Sequence, residues 1–279
     1  MAEQQLPNFR ELFTQQVQLP EEELELDRAA LYLAGEDYPA LDVAANLDRL
    51  SVMASEVRQT VGSIADQRAL IEALRAHLFD HLGFDGNSVD YYSPDNSFLN
   101  RVLETRTGIP ITLSLVYMEV GRRLGITCHG VGLPGHFVVG LDQLGLYLDP
   151  FNAGHLLSAA DCRLFLQDTF GERLPWRQEF LLSSSKHDIL FRMLTNLRQI
   201  FLQREEYARA LAVVQRMALV RPAMHVLHKD ISWCHLQLKE YRRAIGELET
   251  YLQREANPQD AAEVRRQIQA LWAMLSQLN

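Results

Sequence analysis

Thiols, imidazoles and paired carboxylates are sparse enough in this 279-residue chain to be weighed one at a time. The three cysteines, Cys128, Cys162 and Cys234, lie far apart and form no CxxC pair. Neither a disulfide framework nor a zinc ribbon is expected from them, and they fit a reducing compartment. Imidazole and carboxylate concentrate in one stretch, where His129, His136, Asp149 and His155 fall within 27 residues. Zinc favours such groups, but no HxH or HExxH spacing occurs, so no metal site and no cofactor are expected. His136 and Asp149 stand thirteen positions apart, a separation that a strand–turn–strand hairpin brings side by side. Upstream, Thr112 and Ser114 carry hydroxyls at the start of an apolar segment, and Asn96 supplies an amide. His225, His228 and His235 sit on a helical pattern, where a helix face accounts for them.

The elements that position these residues follow from periodicity. A helix is expected over 21–33, stopped by Gly35 and the Tyr38-Pro39 turn, while residues 1–20 are polar and weakly patterned. Asp42 reads as an N-cap ahead of Val43, Leu47, Leu50 and Val57. Leu70, Leu74, Leu78 and Leu82 recur every fourth residue, and Gly83 follows where a glycine ends a helix. The segment 84–100 is punctuated by Gly, Asn, Ser, Pro and Asp and reads as a loop with a short helix near its end. A helix is predicted from Pro110 to Leu124. Strands are predicted over 126–133, 136–141 and 146–149, the last two forming a hairpin around Asp142–Gly145. A helix ahead of clustered antiparallel strands argues for an α+β domain.

From Leu190 onward the pattern is helical and repeats. Tyr207 and Tyr241, Ala210 and Ala244, Leu211 and Ile245, and Val214 and Leu248 are each 34 residues apart. That period belongs to helix–turn–helix repeats of the TPR type. The small residue usual in the first helix of a unit is Ser232 in one repeat and Arg198 in the other. Val264, Ile268, Leu271 and Leu275 predict a capping helix.

A net charge of −9 provides no electrostatic footprint for nucleic acid. The first residues, MAEQQLPNFRELF, lack a basic-then-apolar signal segment, and no run approaches the roughly 18 apolar residues of a membrane span. A soluble, cytoplasmic protein is expected, without nucleic-acid or membrane partners.

The stretches GIPITLSL, PGHF and LDPFN, with Arg122-Arg123-Leu124-Gly125-Ile126, resemble the core of transglutaminase-like proteins, which share the papain-like cysteine-protease type of fold. The match is nearer to the bacterial SirB-one-like family, in which this core precedes a TPR-like tail, and it covers about residues 25–275. In active transglutaminase-like proteins a cysteine at the N-terminus of the core helix gains thiolate character from the helix dipole and a neighbouring histidine. The histidine serves as base and then acid, and an aspartate orients it. The resemblance assigns these last two roles to His136 and Asp149.

The same resemblance puts the nucleophile's place at about Pro110, and proline cannot attack a carbonyl. Thr112 is the hydroxyl that could stand in. It could equally satisfy the helix start, as Ser114 could simply pack. His136 has two compatible readings, a base and a structural group bonded to Asp149. Asn96 belongs to the family's Asn-Ser-x-Leu element and either donates into the cleft or ties down its loop. Pro134-Gly135 either shapes a turn or lets a ligand backbone approach.

An α+β transglutaminase-like domain is therefore expected over 1–184 and an all-α TPR-like domain over 185–279. The leading expectation is a non-catalytic protein that binds a protein or peptide through the TPR-like region and a degenerate cleft lined by Asn96, Pro110 and Gly135, with a possible regulatory role left open. The alternative is a peptidase or amidase in which Thr112 attacks with help from His136 and Asp149. The sequence leaves the oligomeric state unassigned.

Overall fold

The structure, a computed structural model, describes residues 7–62 and 66–278. The N-terminal residues 1–6, part of the segment inspected for a signal, lie outside the described residues. Two compact units are present, one running to Met193 and one from Leu194. The dividing point falls inside a helix.

The first unit opens with helices α1 (Phe9–Val17), α2 (Leu26–Gly35), α3 (Val43–Val61) and α4 (Gln67–Arg75), the last continuing as a π-helical turn, Ala76–His81. Helix α1 lies in a stretch whose polar composition concealed it. Phe9, Phe13 and Val17 recur at four-residue spacing and bury one face. Asp42 caps α3 by accepting the Ala45 N–H at 3.0 Å, and Asp66 does the same for Ala69 at 2.8 Å at the start of α4.

Strand β1 (Asp85–Gly86) pairs in parallel with β2 (Thr107–Gly108), with a 3-10 turn at Pro94–Ser97 and helix α5 (Leu99–Thr105) between them. Helix α6 (Pro110–Leu124) follows. Every residue from Pro110 to Gly121 is buried, the polar Thr112, Ser114 and Glu119 among them. Pro110 occupies the first helical position, where a missing N–H costs nothing. The helix ends in a Schellman turn through Gly125, with Ile126 N–H donating to Gly121 O at 2.9 Å.

Four antiparallel strands in sequential order complete the unit's framework: β3 (His129–Val131), β4 (Val138–Leu141), β5 (Leu146–Asp149) and β6 (His155–Leu157). In register, Val139 faces Leu148 and Asp149 faces His155. The expected hairpin is present, its first strand two residues shorter at the start because Pro134-Gly135 turns the chain there. Helix α7 (Ala159–Phe170) places Cys162 in a core with Val131, Leu133, Val138 and Leu181.

Helix α8 (Lys186–Gln203) enters the second unit, which continues with α9 (Tyr207–Val220), α10 (Leu227–Gln237), α11 (Tyr241–Arg254) and α12 (Ala261–Leu278). The repeat is visible in the backbone. Glu205 and Lys239 hold left-handed conformations, φ 57° and 60°. Each is followed by the same long Schellman bond, Glu206 N–H to Phe201 O at 2.9 Å and Glu240 N–H to His235 O at 2.8 Å. Ser232 is buried and donates to Ala244 O at 2.8 Å, which shows why one repeat wants a small residue there. Arg198, at the equivalent position, turns to Asp230 at 2.9 Å.

Candidate functional site

Strands β4 and β5 and the turns at their ends bring together residues that are remote in sequence. Leu133-Pro134-Gly135-His136 forms a turn closed by His136 N–H donating to Leu133 O at 3.1 Å. Gly135 takes φ +72° at its third position, the geometry of a type II turn with proline second. The turn delivers a buried His136 to the end of β5, where Nε2 lies 2.8 Å from Asp149 Oδ2.

Asp149 ends β5 and caps the 3-10 turn Pro150–Asn152. Its Oδ1 accepts the Phe151 N–H at 3.1 Å, and its Oδ2 accepts the Asn152 side-chain amide at 2.7 Å. Burial alone would raise its pKa. The bond to His136, with the Asn152 and Phe151 donors, outweighs burial and holds the carboxyl below its ordinary range. With Nε2 on the carboxylate, Nδ1 is the nitrogen left to face other chemistry. It has no hydrogen-bond partner among the described residues. The imidazole is walled by aromatic rings, Phe165 at 5.0 Å and Phe151 edge-on at 6.2 Å between centroids. Phe151 in turn meets Tyr91 at 5.9 Å, and Tyr91 with Tyr92 stands exposed on the 84–98 loop.

Thr112, the hydroxyl weighed as an attacker, is fully buried, and its oxygen is committed. It donates to Asn96 O at 2.7 Å and accepts the Ile109 N–H at 3.2 Å. Asn96 is occupied as well. Its amide nitrogen donates to Asp90 O and Tyr91 O, and its side-chain oxygen accepts from Asn87. The pair ties the loop bearing Tyr91 to the start of α6. Ser114 is buried one turn on, its hydroxyl without a partner among the described residues. Burial pushes all three thiols up, Cys128 to about 12 and Cys162 and Cys234 to about 11. At such values the thiolate, the reactive form, is scarce at neutral pH.

Of the four residues considered as zinc ligands, the structure pairs only His136 with Asp149; His129 turns to Asp142 at 3.3 Å and His155 is exposed on β6. Among the described residues no group of three or more His, Cys, Asp or Glu is arranged to hold a metal ion. Arg192 was not expected from the sequence. From α8 it reaches the His136 turn, Nη2 donating to Leu133 O at 2.9 Å and to His136 O at 2.5 Å, with the guanidinium 5.4 Å over the Phe137 ring. Nothing in its spacing marks it, since a long side chain clamping a distant turn leaves no periodic trace. Asn152 could have been found, because Asp-Pro-Phe-Asn places it three residues after the aspartate it bonds.

A helix starting at Pro110, a histidine in the turn that leads into β4 and a strand ending in aspartate define a transglutaminase-like domain, followed here by TPR repeats. The family model described as Transglutaminase-like superfamily matches residues 44–195, and one described as Tetratricopeptide repeat matches 197–269. A UPF0162 protein of Xylella fastidiosa is 34% identical over 253 residues, covering 89% of each chain. Another, from Pseudomonas aeruginosa, is 32% identical over 222 residues, covering 79% of this chain and 81% of that one. The chain belongs to the UPF0162 family. The human F-box only protein 21 is 34% identical over 110 residues, 36% of this chain and 18% of that protein. No solved structure matches the chain.

Proposed function

We propose that this protein is a non-catalytic transglutaminase-like/TPR protein, of the SirB-one-like kind, that binds a protein or peptide segment in the cytoplasm. The observation that carries the reading is the contrast at the site. The imidazole–carboxylate couple is intact, whereas the core helix starts with Pro110 and a Thr112 hydroxyl already bound to Asn96. The raised thiol pKa values point the same way. The TPR repeats supply a second surface of a type suited to protein partners, and the exposed Trp233 and Trp272 lie on helices of that unit. No described helix is long and apolar enough to cross a membrane. The likeness to a short part of F-box only protein 21 fits a core used as one module among others.

One observation favours the hydrolase reading: Nδ1 of His136 is without a partner among the described residues, as a general base requires. Mass spectrometry after exposure to fluorophosphonate and peptidyl vinyl sulfone probes separates the two. The binding reading expects unmodified protein, in the wild type and in His136→Ala alike. An adduct mapped to Thr112, Ser114 or a cysteine, and lost in His136→Ala, would establish the hydrolase instead.

A further inference from the structure

Arg192 is a half-buried cation with no ion pair among the described residues; the Tyr91 hydroxyl acts on it electrostatically. Buried guanidinium groups are ordinarily matched by carboxylates, because an unmatched charge away from water costs free energy. Here no carboxylate among the described residues faces the guanidinium, the Phe137 ring 5.4 Å away attracts its charge besides two carbonyls, and the hydrogen bonds are half used. Nη2 spends its donors on Leu133 O and His136 O, and Nε and Nη1 have no acceptor among the described residues. Neither is sealed from solvent, since neither stands among the buried polar atoms left without a partner. Clamping two backbone carbonyls needs two N–H groups and no net charge, and the Phe137 ring covers one face of the guanidinium only, so its free edge can still take an anion. Gly132 keeps room for the group, because a Cβ there would lie 3.1 Å from Nη1.

The surroundings limit what could neutralise it. Asp149 is already engaged by His136, Asn152 and two backbone N–H groups. Tyr91, which acts electrostatically on Arg192, continues through Phe151 to His136 and Phe165 as one aromatic wall. A ligand that satisfies both features carries a carboxylate within one residue of an apolar side chain. The last residue of a peptide does this alone, whereas an internal Asp or Glu spends its side chain on the charge and leaves the wall to a neighbour.

We propose that Arg192 is the anion-recognising residue of the His136 cleft and receives the C-terminal carboxylate of a bound peptide, whose final apolar side chain lies against Tyr91, Phe151 and Phe165. This rests on the peptide-binding reading above and names the ligand class for it.

The test uses full-length protein with isotope-labelled arginine and histidine and three probes: N-acetyl-phenylalanine, its amide, and N-acetyl-glutamyl-phenylalaninamide. The free acid is expected to shift the Arg192 Nε–H and His136 Cε1–H signals saturably, and to bind about tenfold more tightly than the amide, as one charge-assisted hydrogen bond predicts. Arg192→Gln erases that preference and Arg192→Lys retains part of it. Equal binding of acid and amide, equal binding of the glutamyl amide, or no saturable shift with any probe overturns the proposal. Should Arg192→Gln fail to fold, the wild-type comparison of acid with amide still decides. A covalent adduct in the labelling experiment would sink the non-catalytic reading while leaving a preference for the acid intact, so the two failures are distinguishable.

Discussion

Thr112 Oγ1 lies 2.7 Å from the carbonyl oxygen of Asn96, sixteen residues earlier in the chain. This bond joins the first turn of α6 to the 3-10 turn before α5, and it withdraws the hydroxyl from nucleophilic duty. Both partners are buried.

Thr112→Val keeps the shape of the side chain and strands the Ile109 N–H and the Asn96 carbonyl. A loss of about 1–3 kcal/mol in urea unfolding is expected, the cost of leaving buried polar groups unpaired. Thr112→Ser should stay close to wild type. Wild-type stability in the valine variant would show that the bond contributes nothing.

The His136–Asp149 couple carries a pH signature. The folded-state pKa of Asp149 is depressed below the roughly 3.9 of an unfolded aspartate. Its contribution to stability is therefore complete above that unfolded value and is lost as pH falls through the folded one. His136→Ala removes the largest influence opposing burial. We expect it to cost about 1–3 kcal/mol near neutrality. The deficit should shrink below about pH 4, as the stranded carboxyl takes up its proton. Urea midpoints at the two pH values measure this, and a deficit independent of pH would rule it out.

Glu119 behaves in the opposite sense. It is buried beside Asp27 and faces Arg122 and Arg123, with Arg122 Nη2 at 2.8 Å and Arg123 Nη1 at 3.0 Å. Burial, then the neighbouring Asp27 charge, outweighs Arg122 and raises its pKa to about 7. The folded state thus holds a proton that the unfolded chain has released, and stability falls as pH rises from the unfolded value of roughly 4.3 to about 7. The pKa of Asp27 is lowered, so it stays ionised across this window and adds no slope. Glu119→Gln should gain stability relative to wild type on going from about pH 5 to about pH 8. An unchanged difference between the two proteins would mean that Glu119 titrates normally.

Elements whose cues are local were readable in advance. Helix α6 spans the expected Pro110–Leu124 and β5 the expected Leu146–Asp149, because proline, glycine and a change of hydrophobic period mark their ends. The two TPR-type units announced themselves by repetition. Helix α1 did not, since three apolar residues on one face are a faint signal among polar neighbours. Strand β6 is three residues long and exists only as an edge to β5, so it has no pattern of its own.

The sequence by itself determined which residue types stand at the site: a histidine after a Pro-Gly turn, an aspartate before a proline, and a ring-locked residue opening the core helix. The turn and the helix start follow from short-range sterics, whereas the resemblance to transglutaminase-like proteins implied that these residues share a site. Only the tertiary structure decided what the site's polar atoms are bound to. The Thr112 hydroxyl goes to Asn96 instead of His136, and the Arg192 guanidinium closes on a carbonyl 56 residues away. Hydrogen bonds between distant segments depend on how the chain packs, and packing leaves no periodicity along the sequence from which they could be foretold.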